Sequence, residues 1–214
     1  MSKYPKSQNV IERIKELGLL LESDPKLPSV ATIIAGEPIR GSWWGHAKGQ
    51  EIFGVVQDVA GHQDVLITKL LSGKVTFVHR KFWCDIVSIG QARENWQLAK
   101  LSTTAQAILE EVDRQGSLQT NEMEWQKKLP GKPGDAVREL EKYLLIQTEQ
   151  FHTSTGDHAK RLQSWQQWAA ATGLKCKPIT PITIETAKRK LEKRVADWNE
   201  QFGAAAKLPW PVRK

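Results

Sequence analysis

Cysteine is scarce in this chain. The 214 residues hold two, Cys84 and Cys176, far apart and in no ligand spacing, so the spacing offers neither a disulfide framework nor a zinc site. With both thiols free, a reducing cytoplasm is the expected compartment. Long apolar runs are missing too: nothing approaches the ~18 residues of a membrane helix. The opening stretch MSKYPKSQNVIERIKELGLLLE is too charged for a secretory signal, so no membrane partner is expected. Nucleotide and hydrolase signatures are likewise absent. There is no G-x-G-x-x-G after a strand, no G-x-x-x-x-G-K-[ST], no G-x-S-x-G elbow and no H-E-x-x-H. These absences point away from cofactors and metals. Apolar content itself is ordinary, at 40% hydrophobic and 26% charged residues, which excludes disorder and allows a buried core.

What is abundant is positive charge and tryptophan. Lys and Arg outnumber Asp and Glu by 31 to 24, for a net charge of +7, and the excess is spread over both halves of the chain. Such a surface attracts polyanions, and DNA becomes the leading partner. Nine residues are Trp, against five Phe and two Tyr, a skew toward large flat side chains with one N–H donor each.

Apolar spacing predicts an amphipathic helix from Ser7 to Leu21, interrupted but not ended by Gly18. A short helix over Ser29–Ala35 and a loop over Glu37–Gly49 follow, then a helix from Gln50 to Gly61. A hairpin of Val65–Leu70 and Val75–His79 closes around Ser72-Gly73-Lys74. The order then repeats. A helix begins in a capping box at Thr103–Gln106, and a short helix covers 120–128. A third helix is capped by Asp135, and a second hairpin joins Ile146–Thr153 to His158–Trp165. The last helix is capped by Thr183 and carries Lys188-Arg189-Lys190, a run that could bind phosphate but is read first as a solvated face, before a Pro-Trp-Pro tail.

Three helices followed by a two-stranded ribbon is the winged form of the helix-turn-helix plan. The expected fold is therefore mainly α with β-hairpin wings. It comprises a first unit over 1–92 containing the Trp-rich loop, a second over 93–175, and a C-terminal basic helix and tail over 176–214.

The densest candidate site is Arg40-Gly41-Ser42-Trp43-Trp44-Gly45-His46-Ala47-Lys48-Gly49. In one reading Trp43 or Trp44 stacks on a base, Arg40, Ser42 and Lys48 meet phosphate, and His46 donates a hydrogen bond or moves a proton. In the other, one Trp plugs a gap in the core and His46 caps the helix that follows. Glu51 could pair with His46, making these two the catalytic candidates, or be solvated. Further nucleic-acid contacts are expected from Lys74 and Arg80 on the first hairpin, Arg138 and Lys142 on the second unit's third helix, and Lys160 and Arg161 on the second hairpin. His79 reads as structural. His152 and His158 could meet across their turn, although two His make an incomplete metal site. Trp83, Trp125, Trp165, Trp168 and Trp198 read as core.

The stretches GEPIRGSWWGHAKGQEIF and SGKVTFVHRKFW, set in tandem winged units, resemble proteins related to the AlkZ-type DNA glycosylases, small bacterial relatives of an all-winged-helix repair family. The resemblance covers residues 28 to 165 and implies a DNA-binding scaffold connected with DNA repair. The glycosylases themselves use a Gln-x-Gln or Gln-x-Asp element to position water, and commonly carry a third winged unit. Here Gln57-Asp58, Gln63-Asp64 and Gln166-Gln167 are adjacent pairs, and no such triplet occurs. Binding of duplex or damaged DNA is the leading expectation. Excision of a modified base and service as a protein adaptor are the alternatives.

Overall fold

The computed structural model describes residues 5–123 and 130–212. Within them the chain forms two compact units. One comprises the residues up to Trp83 together with Lys190–Leu208, and the other Cys84–Arg189 with the residues from Pro209 on.

The first unit contains α1 (Lys6–Leu17), β1 (Leu19–Leu21), α2 (Val30–Ala35), α3 (Gly49–Ala60), β2 (Val65–Leu71) and β3 (Lys74–His79). The helix expected to reach Leu21 stops at Leu17. Gly18 takes φ 84° and returns its N–H to the Ile14 carbonyl, ending α1 in a left-handed cap. Leu19, Leu20 and Leu21 then pair antiparallel with Val78, Phe77 and Thr76. Three consecutive buried leucines suit a helix or an inner strand equally, so periodicity alone could not separate the two. The expected hairpin forms, with Ser72 and Gly73 both at positive φ in the two-residue turn that matches strand twist. Strand order is β1-β3-β2. The core gathers Ile14, Leu20, Val30, Ile34, Ile52, Val55 and Phe77.

Asp24, in the loop between β1 and α2, ties that loop to the hairpin turn. Its carboxylate accepts from the Lys26 and Leu27 N–H groups at 2.9 Å each and from the Lys74 ammonium at 2.7 Å. Burial opposes its charge, but the Leu27 N–H, Lys74 and the Lys26 N–H outweigh that and hold its pKa below the usual value.

The second unit contains most of α4 (Trp83–Gly90), then α5 (Asn95–Leu98), α6 (Thr103–Gln115), β4 (Ser117–Gln119), α7 (Pro133–Lys142), β5 (Gln147–His152), β6 (His158–Gln163) and α8 (Trp165–Ala171). Its sheet order, β4-β6-β5, repeats the plan of the first: a short strand, directly after α1 or α6, pairs with the second strand of the hairpin. Neither short strand was expected from sequence.

Several helix boundaries move. The cap of α6 is Ser102, whose hydroxyl accepts from the Ala105 N–H while donating to Glu139 at 2.7 Å. α7 opens with Pro133, two residues before Asp135, because proline suits the first helical position. Of the short helix expected over 120–128, Thr120–Glu122 forms a 3-10 turn. Residues 124–129, with Trp125, lie outside the described residues. Trp165 opens α8 behind a Ser164 cap instead of extending the hairpin. The last helix, α9 (Pro181–Phe202), starts before Thr183, and Thr180 and Thr183 each accept the other's backbone N–H. From Lys190 on, α9 belongs to the first unit, where Leu191, Val195 and Trp198 are buried.

Free thiols were expected, but Cys84 and Cys176 are joined in a disulfide, their Cα atoms 5.4 Å apart. The fold brings the first turn of α4 and the α8–α9 connection together across 92 residues of chain. The cysteine pattern therefore gives no argument for a reducing compartment. Among the described residues no helix is long and apolar enough to cross a membrane.

Trp165 is fully buried and donates its indole N–H to the Leu144 carbonyl at 2.6 Å. Gly90 lies flat against this ring, and a Cβ there would sit 2.3 Å from it. Gly90→Ala is expected to cost about 1–3 kcal/mol through overpacking, and an unchanged urea midpoint would contradict this. For Asp24 the folded pKa lies below the unfolded one. Its contribution is therefore complete above the ordinary carboxylate range and is lost as pH falls through the folded value. Asp24→Asn should cost about 1–2 kcal/mol at neutral pH. The deficit should shrink in unfolding curves below about pH 4.

Candidate nucleic-acid interface

The loop between α2 and α3 is pinned at two points, Ile39 and Trp43, both buried. Trp43–Gly45 forms one 3-10 turn, opened by Ser42, whose hydroxyl accepts from the Trp44 N–H. Trp43 enters the core of the first unit, 5% exposed, and its indole N–H donates to the Glu22 carboxylate at 3.0 Å. Trp44 faces solvent at 61% exposure. It stacks on Trp43 with ring centroids 4.3 Å apart and planes 23° from parallel, and the Phe53 ring lies 5.3 Å away. The two readings of the pair thus divide between neighbours: one Trp is core and the other is displayed.

The remaining loop residues are more constrained than the sequence implied. His46 Nδ1 accepts from the Lys48 N–H at 3.1 Å, while Nε2 lies 3.3 Å from a Glu37 oxygen. An accepting Nδ1 places the proton of the neutral ring on Nε2, directed at Glu37. Lys48 donates to the Ile34 and Ala35 carbonyls at 3.1 and 2.8 Å, capping the negative end of α2. Glu51 pairs with Lys6 at 3.0 Å and is not bonded to His46. Arg40 is exposed, with no hydrogen bond or ion pair among the described residues.

The cations of the hairpins and of α7 are mostly paired. Lys74 binds Asp24 at 2.7 Å, and Arg80 meets Asp64 at 3.5 Å while lying over the Trp83 ring. In the second unit Arg138 pairs with Asp135, Lys160 with the buried Glu141, and Arg161 with Glu149 at 3.2 Å. Lys142 lies over the Tyr143 ring at 5.4 Å. An exposed pair such as Arg161–Glu149 contributes about 0–1 kcal/mol, so a phosphate can compete for such a cation, whereas Lys74 is bound to a carboxylate that is only 12% exposed. The buried Glu141 holds Lys160 more firmly.

His79 is structural, as its position implied. Its Nδ1 accepts from the Lys81 N–H, and burial, then Lys81, pushes its pKa down. The His152 and His158 rings do meet, 4.4 Å apart, with His158 bonded to Gln150. Among the described residues no group of three or more His, Cys, Asp or Glu is placed to hold a metal.

Phe53 falls within the apolar spacing of α3 but does not join the core. It is 39% exposed and completes the aromatic surface. Its adjacency to the buried Ile52 is the available signal, since consecutive helical residues point about 100° apart.

Truncating the two Trp residues should separate their roles. Trp43→Ala is expected to lose about 3–5 kcal/mol of stability, and Trp44→Ala to stay within about 0.5 kcal/mol of wild type. Equal shifts in thermal midpoint would refute that division. Comparison with curated proteins and with solved structures yields no match. The family model described as AlkZ related matches residues 4–206, and the chain belongs to the AlkZ-related family.

Proposed function

We propose that this protein is a DNA-binding relative of the repair glycosylases that uses two tandem winged units as its scaffold and offers Trp44 as a stacking platform for an unpaired or displaced base. The observation that carries this reading is the display of Trp44. A 61%-exposed indole is held in place by ring contacts with Trp43 and Phe53. A base can stack on it without reorganising the loop, and such stacking contributes about 1–3 kcal/mol per base. Arg40, in the same loop and unpaired among the described residues, supplies charge for the adjoining phosphate.

Three further features support the reading. Family membership connects the chain with DNA repair. Each unit contains a helix, a short strand, a further helix or helices and a hairpin in that order, α1–β1 to β2–β3 and α6–β4 to β5–β6, as a winged helix does. The +7 charge favours a polyanionic partner. Arg80, Arg138, Lys142 and Arg161 are cations that can turn to phosphate by exchanging weak surface contacts, while Lys74 would have to leave the largely buried Asp24.

Excision of a base is the reading set aside. His46 and Glu51 each hold a different partner, so neither is poised to activate water with the other. Free base released from alkylated duplex by wild type, but not by His46→Ala, would reverse this choice.

Fluorescence anisotropy with duplex, single-stranded and mismatched DNA tests the proposal. Binding should weaken with salt at a slope of about −0.9 per phosphate neutralised. Trp44→Ala should lose about 5- to 150-fold in affinity for DNA with an unpaired base. It should lose little on fully paired duplex. Absence of binding to every DNA at ~50 mM salt would overturn the proposal.

A further inference from the structure

Three cations converge in the first unit where repulsion alone would part them. Lys81 lies in the turn after β3 and donates to the carbonyls of Lys15 and Glu16, at 2.7 and 3.0 Å, at the C-terminal end of α1. Lys190, on α9, donates to the Lys81 carbonyl at 3.2 Å and lies over the Phe82 ring at 4.7 Å. The Lys81 ammonium stands 5.9 Å from the centre of the same ring. Arg194 follows Lys190 by one helical turn, on the same face, and makes no ion pair or hydrogen bond among the described residues.

Each part of this arrangement has a local cause. The α1 carbonyls attract Lys81 as a C-terminal cation, and the face of Phe82 attracts Lys190. Phe82 is itself buried, so the ring that orders the lysines is fixed. The sum of these contacts is nevertheless an accumulation of like charge. Burial, then Arg194 and Lys190, push the Lys81 ammonium below its usual pKa, with Glu16 pulling the other way. Glu16 is engaged by Arg13 at 2.6 Å, and the nearby Lys15 reaches Glu12 only at 3.8 Å. Lys81 and Arg194 form no ion pair among the described residues, and the ammonium groups of Lys81 and Lys190 are held in place by their own hydrogen bonds. A multivalent anion would relieve the repulsion while accepting hydrogen bonds from two ammonium groups and a guanidinium.

We infer that Lys81, Lys190 and Arg194, ordered around Phe82, form a phosphate-binding cluster by which the first unit grips a nucleic-acid backbone. This rests on the DNA-binding reading above but uses none of its residues. It also gives α9 a direct part in the contact.

The test uses Lys190→Gln/Arg194→Gln, leaving Lys81 to cap α1, with thermal unfolding confirming that the double variant is folded. Duplex binding across a salt series should show a slope smaller than wild type by about 1–2 units, with Trp44→Ala keeping the wild-type slope. Tripolyphosphate, titrated as a small probe, should raise the thermal midpoint of wild type and not of the double variant. A wild-type salt slope in the double variant overturns the cluster and leaves the Trp44 reading standing. If wild type binds tripolyphosphate through these residues but binds no DNA, the DNA-binding reading fails and the backbone assignment with it. Polyglutamate bound as tightly as duplex, and lost equally in the double variant, would overturn the assignment in favour of an acidic protein surface.

Discussion

The burial of Trp43 is the constraint on which the arrangement of the candidate interface depends. A Trp side chain buries roughly 150–250 Å², enough to hold down a loop otherwise rich in glycine. With that ring in the core and its N–H on Glu22, the tight turn at Trp43–Gly45 sends the next side chain outward. Trp44 is displayed because Trp43 is not. The same anchoring sets where the chain re-enters α3, which brings Phe53 beside Trp44 and Lys48 onto the end of α2. Display of one aromatic and structural use of its neighbours are two results of one packing event.

Tryptophan has a second, repeated use at the corner where each hairpin ends. In the first unit Trp83 follows β3 and donates its indole N–H to the Val78 carbonyl at 3.0 Å. In the second, Trp165 follows β6 and donates to the Leu144 carbonyl at 2.6 Å. Each ring begins a helix, α4 or α8, and each is buried. A large apolar body with a single donor suits this corner, because it fills space under the chain reversal while its N–H finds a backbone carbonyl. Among the described residues most Trp side chains are therefore buried, and Trp44 is the one displayed at 61% exposure.

Charge follows a similar division. Most cations of the hairpins and of α7 face a carboxylate close by in space, so the net excess says little about any one of them. Two cations without an ion pair among the described residues, Arg40 and Arg194, lie in a loop and beside Lys81, the latter at a meeting of segments distant in sequence. Electrostatic function is legible only after pairing is known, since an exposed ion pair hides two charges from a distant phosphate while hardly stabilising the fold.

Local physics made much of the fold readable. Apolar period 3.6 marked α1, α3, α6 and α7, and period-breaking turns at Ser72-Gly73 and Ser154–Asp157 marked both hairpins. The loop of residues 40 to 49 could also be singled out, because glycine spacing and paired Trp are local properties. The short strands could not be found this way: β1 and β4 are three residues each, too brief for a pattern, and exist because β3 and β6 offer an open edge. Nor could the partner of Cys84, the exposure of Phe53 or the occupation of His46, Lys48 and Glu51, all of which depend on how other segments pack against them. The sequence by itself determined the elements, their repeated order and the charge. Only the tertiary structure decided which aromatic faces water and which cations stand together, because burial and pairing belong to the packed chain and not to any residue in it.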